Sequence, residues 1–176
     1  EIVNDSINNE IVNNSTNDKI VNDSINNEIV NNSTNDEDRR IEPEPLKVIK
    51  HILLADDNFL IRQCFEEIMN YYKCSITVMN NGKDVMDIIN NGSIYDVIIL
   101  DINMYPINGI QCIKELRKNK YEGLVFGLTG VFNKKIIIHA RESGFDFIFK
   151  KPINFKKIAK TTQSFGFTFN KQNEVI

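Results

Sequence analysis

Five residues in this chain have side chains that could act together in a reaction. Asp56 and Asp57 follow an apolar run at 52–55, and Asp101 closes another at 97–100. Thr129 ends the stretch 124–128, and Lys151 comes just after 146–149. Each has an ordinary explanation alone. Asp57 or Asn58 would cap a helix, where such side chains satisfy free amides. Asp101 would be a turn residue ahead of the loop at 106–109. Thr129, between Gly127 and Gly130, would be a turn, and Lys151 one solvated lysine among many. Brought to one place, they imply more. Three crowded carboxylates repel one another and need a cation to coexist. Hard oxygen ligands with no His or Cys beside them suit Mg²⁺. A divalent ion beside a free carboxylate, a hydroxyl and a lysine is the equipment for phosphoryl transfer. The carboxylate attacks, the metal and lysine neutralise the phosphoryl oxygens, and the hydroxyl donates to one of them.

The surrounding sequence supplies elements that would gather them. Residues 52–55 form a short continuous apolar run, as expected of a strand buried on both faces. A helix is expected from about Asn58, with Ile61, Cys64, Phe65, Ile68 and Met69 at helical spacing. Strands are expected at 76–79, 97–100, 124–129 and 146–149. Helices are expected around Val85, Ile88 and Ile89, around Ile110, Ile113 and Leu116, over about 133–143, and around Phe155, Ile158, Ala159 and Thr162. Five strand–helix units in about 120 residues argue for a parallel sheet covered by helices on both faces. Right-handed crossovers then bring every strand's C-terminal end to one edge, where ligands bind in such folds.

The rest of the chain is a different kind of object. Residues 1–46 carry 11 acidic and 3 basic residues, a net −8, whereas 47–176 carry 13 and 18, a net +5. Residues 1–36 are two copies of an 18-residue block differing only at Glu1 and Lys19. Twelve of the first 38 residues are Asn and no Phe, Tyr or Trp precedes Phe59, so too little apolar area is available to offset the entropy of ordering. The expected organisation is a disordered Asn-rich linker at 1–46, a folded domain at 47–169 and a short tail at 170–176. Cys64, Cys74 and Cys112 form no CxxC pair and read as reduced thiols of a cytoplasmic protein. No apolar run approaches the ~20 residues of a membrane span. The chain does not begin with Met, which suggests a fragment of a longer or processed protein.

With these residues in place, the folded half resembles the receiver domains of response regulators and hybrid histidine kinases. The resemblance rests on LLADDN at 53–58, VIILDINM at 97–104, Gly109 eight residues after Asp101, GLTG at 127–130 and KKP at 150–152. Each motif is weak alone; the ordered set is specific. The resemblance implies a flavodoxin-like (βα)5 fold with strand order 2-1-3-4-5. It implies that Asp101 is the phosphorylated nucleophile. Asp57 would bind Mg²⁺ directly, Asp56 largely through water, and Asn103 through its backbone carbonyl. Thr129 and Lys151 would hold the phosphoryl group, and the Lys151–Pro152 bond would be cis. The implied partner is a histidine kinase or a His phosphotransfer protein in a phosphorelay, with this chain as the C-terminal receiver of a hybrid histidine kinase. The short stretch after 169 fits that expectation, since it leaves no room for an output domain.

Three positions depart from the family. Tyr105 intervenes between Met104 and Pro106, so the loop beside Asp101 is expected to differ in shape. Gly130 replaces a small residue, usually Ala, and leaves room for phosphoryl access. Ile148 stands where an aromatic often reports phosphorylation, which puts such a switch in doubt.

Other functions fit less well. A haloacid dehalogenase-type phosphohydrolase needs a second Asp two residues after the nucleophile, and that position is Asn103. No GxxxxGK or GxGxxG phosphate loop occurs. Lys134, Lys135, Lys150, Lys156, Lys157 and Lys160 cluster late in the chain, but as a solvated or partner-facing surface rather than a nucleic-acid site. The remaining alternatives are a free-standing single-domain regulator and a pseudo-receiver that binds a partner without phosphorylation. A pseudo-receiver usually lacks one of the pocket residues, and none is missing here.

Overall fold

The structure, a computed structural model, describes residues 44–170. The expectation of a disordered linker at 1–46 falls outside those residues up to position 43, as does the tail from 171 onward. The main sheet has five parallel strands: β2 (His51–Ala55), β3 (Ser75–Met79), β4 (Val97–Asp101), β5 (Leu124–Thr129) and β6 (Phe147–Lys150), in the order β3-β2-β4-β5-β6. That is the order 2-1-3-4-5 expected from the resemblance. The connecting helices are α1 (Phe59–Tyr71), α2 (Gly82–Asn90), α3 (Gly109–Lys118), α4 (Lys134–Glu142) and α5 (Phe155–Ser164).

The sheet is an interior layer because its strands are apolar on both sides. Successive side chains point to opposite faces. Leu53, Ile98 and Leu100 face one core with Val85 of α2, Ile113 of α3 and Ala140 of α4. Ile52, Leu54, Val97 and Ile99 face the other, with Phe65 and Met69 of α1 and Ile158 of α5. Every residue of β4 is buried, which suits the central strand that presents Asp101. All five helices begin at an Asn N-cap (Asn58, Asn81, Asn108, Asn133 and Asn154) whose side chain accepts an amide of the first turn. Each such cap stabilises by about 1 kcal/mol and fixes where its helix leaves the strand end.

Two features differ from the sequence expectation. The fifth main strand runs Phe147–Lys150, not 146–149. Asp146 is outside it because its carboxylate accepts from Val125 N at 2.7 Å and from Arg117 at 2.8 Å. A second, two-stranded sheet also forms, in which β1 (Lys47–Val48) pairs in parallel with β7 (Phe167–Thr168). Lys47 reaches Asp96 at 2.9 Å, and the same carboxylate accepts the Lys50 and His51 amides at 2.9 and 3.0 Å. Strands of two residues are too short to leave a periodic pattern in the sequence.

Candidate functional site

The C-terminal ends of β2, β4, β5 and β6 meet at one edge of the sheet, each bringing its polar residue. Asp56, just past β2, is fully buried; its Oδ1 accepts from Asn58 N at 3.0 Å. Asp101, the last residue of β4, is 3% exposed, and its Oδ1 accepts from Asn103 N at 3.3 Å. Lys151 comes in from β6, its backbone N–H donating to Thr129 O at 2.8 Å. Its ammonium lies 2.7 Å from Asp56 Oδ2 and 2.9 Å from Asp101 Oδ2. Asp57 is exposed, and Asp56, Asp57 and Asp101 each offer a carboxylate oxygen within 4.8 Å of the others. The crowding foreseen from the sequence is therefore present, and Lys151 supplies a fixed cation to two of the three carboxylates.

Burial decides the electrostatics. It pushes the Asp101 carboxyl above its ordinary value, an effect that the Lys151 ammonium opposes. Burial also works against the charge on Lys151, but the two carboxylates outweigh it and raise the lysine above its usual value. One mismatch remains. The ammonium is close to Asp56 Oδ2, yet no donor is aligned on that buried oxygen as a hydrogen bond. The contact is an ion pair that leaves directional bonding capacity unused. An all-oxygen cluster with such an oxygen fits a hard divalent cation.

The other expected residues are nearby but arranged in their own ways. The Thr129 hydroxyl turns into the β5–α4 loop, donating to Val131 O at 3.0 Å and accepting from Val131 N at 3.1 Å. Asn103 is exposed in the loop after Asp101. That loop contains a cis Tyr105–Pro106 bond, and Tyr105 is 86% exposed. Lys151–Pro152 is cis as well. Ile148 is buried in the core beneath α4 and makes no aromatic contact at the pocket.

Two features have no counterpart in the sequence reading. Arg62, one turn into α1, donates from Nη1 to the carbonyls of Asp56 at 2.7 Å and Asp57 at 3.1 Å. It pins the backbone that carries both carboxylates. Gly109 opens α3 against β4, where an added Cβ would strike the Asp101 carbonyl. Its spacing from Asp101 was visible; the reason, a backbone approach only glycine permits, was not.

A doubly wound parallel sheet with carboxylates and a lysine at its strand ends defines a phosphoacceptor class of α/β protein. The chain belongs to the response regulator receiver domain family, matching it over residues 52–163. It is similar to "Two-component response regulator 24" of Arabidopsis thaliana, 29% identical over 115 residues that cover 65% of this chain and 83% of the relative. It is also similar to "Hybrid signal transduction histidine kinase L" of Dictyostelium discoideum, 26% identical over 140 residues. That match covers 75% of this chain but only 8% of the kinase. Among solved structures it is similar to the Francisella response regulator 1452 receiver domain, with a TM-score of 0.61 and 28% identity over 65% of this chain and 94% of that one. The chain is thus a two-component receiver domain. Among the described residues no helix is long and apolar enough to cross a membrane.

Proposed function

We propose that Asp101 accepts a phosphoryl group from a phosphohistidine on a histidine kinase or a His phosphotransfer protein, and passes it onward through such a partner. The observation that carries this reading is the Lys151 ammonium seated between two buried carboxylates at the strand ends, with Asp57 open beside them. Asp56, Asp57, Asp101 and the Asn103 carbonyl would hold Mg²⁺. The bound ion would neutralise charge on the phosphoryl oxygens and draw the carboxylates and the incoming phosphate together.

The residues divide the work. An ionised Asp101 oxygen forms the new O–P bond while the P–N bond to the donor imidazole breaks, and the imidazole leaves with the electron pair. Lys151, fixed by its backbone bond to Thr129 O, opposes the rise that burial imposes on the Asp101 carboxyl and then pairs with a phosphoryl oxygen. Thr129 would release Val131 O and donate to the phosphoryl group instead, which would move the β5–α4 loop. Arg62 would hold the Asp56–Asp57 backbone at a fixed depth.

Incubation with phosphoramidate and Mg²⁺ tests the reading. One acid-stable, hydroxylamine-sensitive acyl phosphate should form at Asp101, and Asp101→Asn should abolish it. Label persisting in Asp101→Asn overturns the assignment. A second reading, a free-standing regulator that binds an effector when phosphorylated, draws support from the Arabidopsis relative, most of whose length the match covers. Label that never moves from Asp101 to any histidine phosphotransfer protein, with an effector binding only the phosphorylated form, would favour it.

A further inference from the structure

We propose that β3, an edge strand of the main sheet, pairs antiparallel with the β3 of a second copy of this chain, so that two domains share one continuous sheet.

The two edges of the sheet are made differently. At one side β6 is bracketed by charge and proline: Asp146 precedes it, Lys150 ends it and Pro152 follows. Such residues keep an edge from pairing with another chain. At the other side β3 has neither a charge nor a proline in its sequence, SITVM. Ile76, Thr77 and Val78 are β-branched, which suits a strand. Ile76 through Met79 are only half-buried, so this edge is open.

The backbone shows which groups are free. In a parallel strand the N–H and C=O of one residue point to the same side, and successive residues alternate. Ser75 N donates to Lys50 O at 2.9 Å, and Met79 O accepts from Asp56 N at 3.2 Å. Ser75, Thr77 and Met79 therefore face β2, while Ile76 and Val78 turn their N–H and C=O outward. Among the described residues nothing takes those groups up. Cys74, the outward position before them, is closed, since its N–H donates to Met69 O at 3.0 Å. Antiparallel pairing centred on Thr77 sets Ile76 opposite the partner's Val78, and Val78 opposite the partner's Ile76. Each is a hydrogen-bonded pair, with the two Thr77 residues forming the non-bonded pair between them. The outward groups of one copy are then satisfied by the same groups of the other. Such a surface is its own complement under a twofold axis, which points to a second copy.

Side chains and charges agree with that register. Ile76 and Val78 pack at the rim of the core beneath α1, so each facing pair joins two β-branched side chains on one face. Lys73 lies just before β3, and Asp84 lies just after it in the first turn of α2. Among the described residues neither has an ion-pair partner. Antiparallel pairing brings the beginning of one strand beside the end of the other, so Lys73 approaches the partner's Asp84 on both sides of the twofold. Because the strands run opposite ways, the two Asp101 pockets point to opposite ends of the joined sheet. Both stay open, and the dimer offers two phosphoacceptor sites.

The test is sedimentation equilibrium of the full chain from micromolar to millimolar concentration. The unmodified chain should show a concentration-dependent monomer–dimer equilibrium. Thr77→Lys and Thr77→Glu each place like charges opposite one another at the twofold and should weaken association at least ~10-fold. Mixed in equal amounts, the two variants should associate again as a 1:1 heterodimer, because opposite charges then meet. Variants that had lost their fold would not recover on mixing, so recovery separates lost pairing from lost structure. Val78→Pro removes an outward donor and leaves the bonds to β2 in place. It should be monomeric with a cooperative melt, and it serves where a charge at 77 upsets folding. A chain that stays monomeric at millimolar concentration overturns the proposal. So does a dimer undiminished in Thr77→Lys or Val78→Pro, or the absence of a heterodimer when the two folded charge variants are mixed.

Discussion

Replacing Lys151 by Met removes the ammonium and keeps most of the stem, so its main effect is to leave two carboxylates without their cation. Asp56 is fully buried and the Asp101 side chain is 5% exposed, so water does little to replace the lysine. Breaking a buried ion pair by removing one partner costs about 3–5 kcal/mol. Protonation sets a ceiling, because a stranded carboxyl can become neutral instead. From an unfolded pKa of about 3.9, protonation at pH 7.5 costs ~1.36 × 3.6, or about 5 kcal/mol. At pH 5.5 the same step costs ~1.36 × 1.6, or about 2 kcal/mol. Lys151→Met should therefore lower the melting temperature in EDTA by roughly 10–20 °C at pH 7.5, at about 3–5 °C per kcal/mol for a domain this size. The deficit should shrink at pH 5.5, to no more than about 2 kcal/mol. In the unmodified chain the folded pKa of Lys151 is raised. Its contribution is thus fully present below the unfolded lysine pKa of about 10.4 and is lost only as pH rises through the raised folded value. The lysine does not titrate between pH 5.5 and 7.5, so the change across that window comes from the carboxylates. Millimolar Mg²⁺ should recover more stability in the variant than in the parent. Differential scanning calorimetry at the two pH values, with and without Mg²⁺, reads all of this. An unchanged melting temperature, or a deficit equal at both pH values, would refute the claim that Lys151 holds these charges in the fold.

Four further expectations follow from the geometry. Arg62→Met should weaken Mg²⁺ binding several-fold by calorimetry and cost about 1–3 kcal/mol, since it frees two carbonyls from a charged donor; equal Mg²⁺ affinity would remove its positioning role. Gly109→Ala should destabilise by about 1–3 kcal/mol and slow labelling of Asp101, because the new methyl meets β4 backbone that cannot yield without moving Asp101. Burial tends to raise the Asp96 carboxyl, but Lys47 and the Lys50 and His51 amides outweigh it and hold it below its ordinary value. Its stabilisation is therefore full above about pH 4 and disappears as pH falls through the lowered folded value, so the gap between the parent and Asp96→Ala, about 2 kcal/mol at neutral pH, should close in acid melts. Burial pushes the Cys74 thiol up to about 11 and the Cys112 thiol up to about 12, while Cys64 is exposed; a thiol reagent at pH 8 should modify Cys64 first and the others only on denaturation.

The sequence carried the fold because its strongest signals are local. The runs at 52–55 and 97–100 are apolar on consecutive residues, and the breaks after them fall at carboxylates, so strand ends and pocket residues were marked by the same positions. The helix starts were marked too. Asn81, Asn108, Asn133 and Asn154 each stand one residue before a helix, but in a chain so rich in Asn outside the domain a cap is easily taken for composition. What stayed hidden was which group each polar atom meets. Arg62 sits at a half-buried helix position that periodicity marks only as amphipathic; its role depends on the β2–α1 turn curling the Asp56 and Asp57 carbonyls back over α1. Thr129 was placed correctly at the end of β5, yet its hydroxyl lies in a local turn with Val131, a choice between near neighbours that spacing does not decide. The crowded carboxylates called for a cation, and the sequence pointed to Mg²⁺. The structure shows that part of that charge is built in, because the register that pairs Thr129 with Lys150 sets the next residue, Lys151, between Asp56 and Asp101. A metal bound at this site would therefore share its ligands with a resident ammonium. On the proposed function, phosphorylation of Asp101 would add negative charge beside that one lysine, and the Thr129 hydroxyl, bonded to Val131, would have to exchange its partner to reach the phosphoryl group.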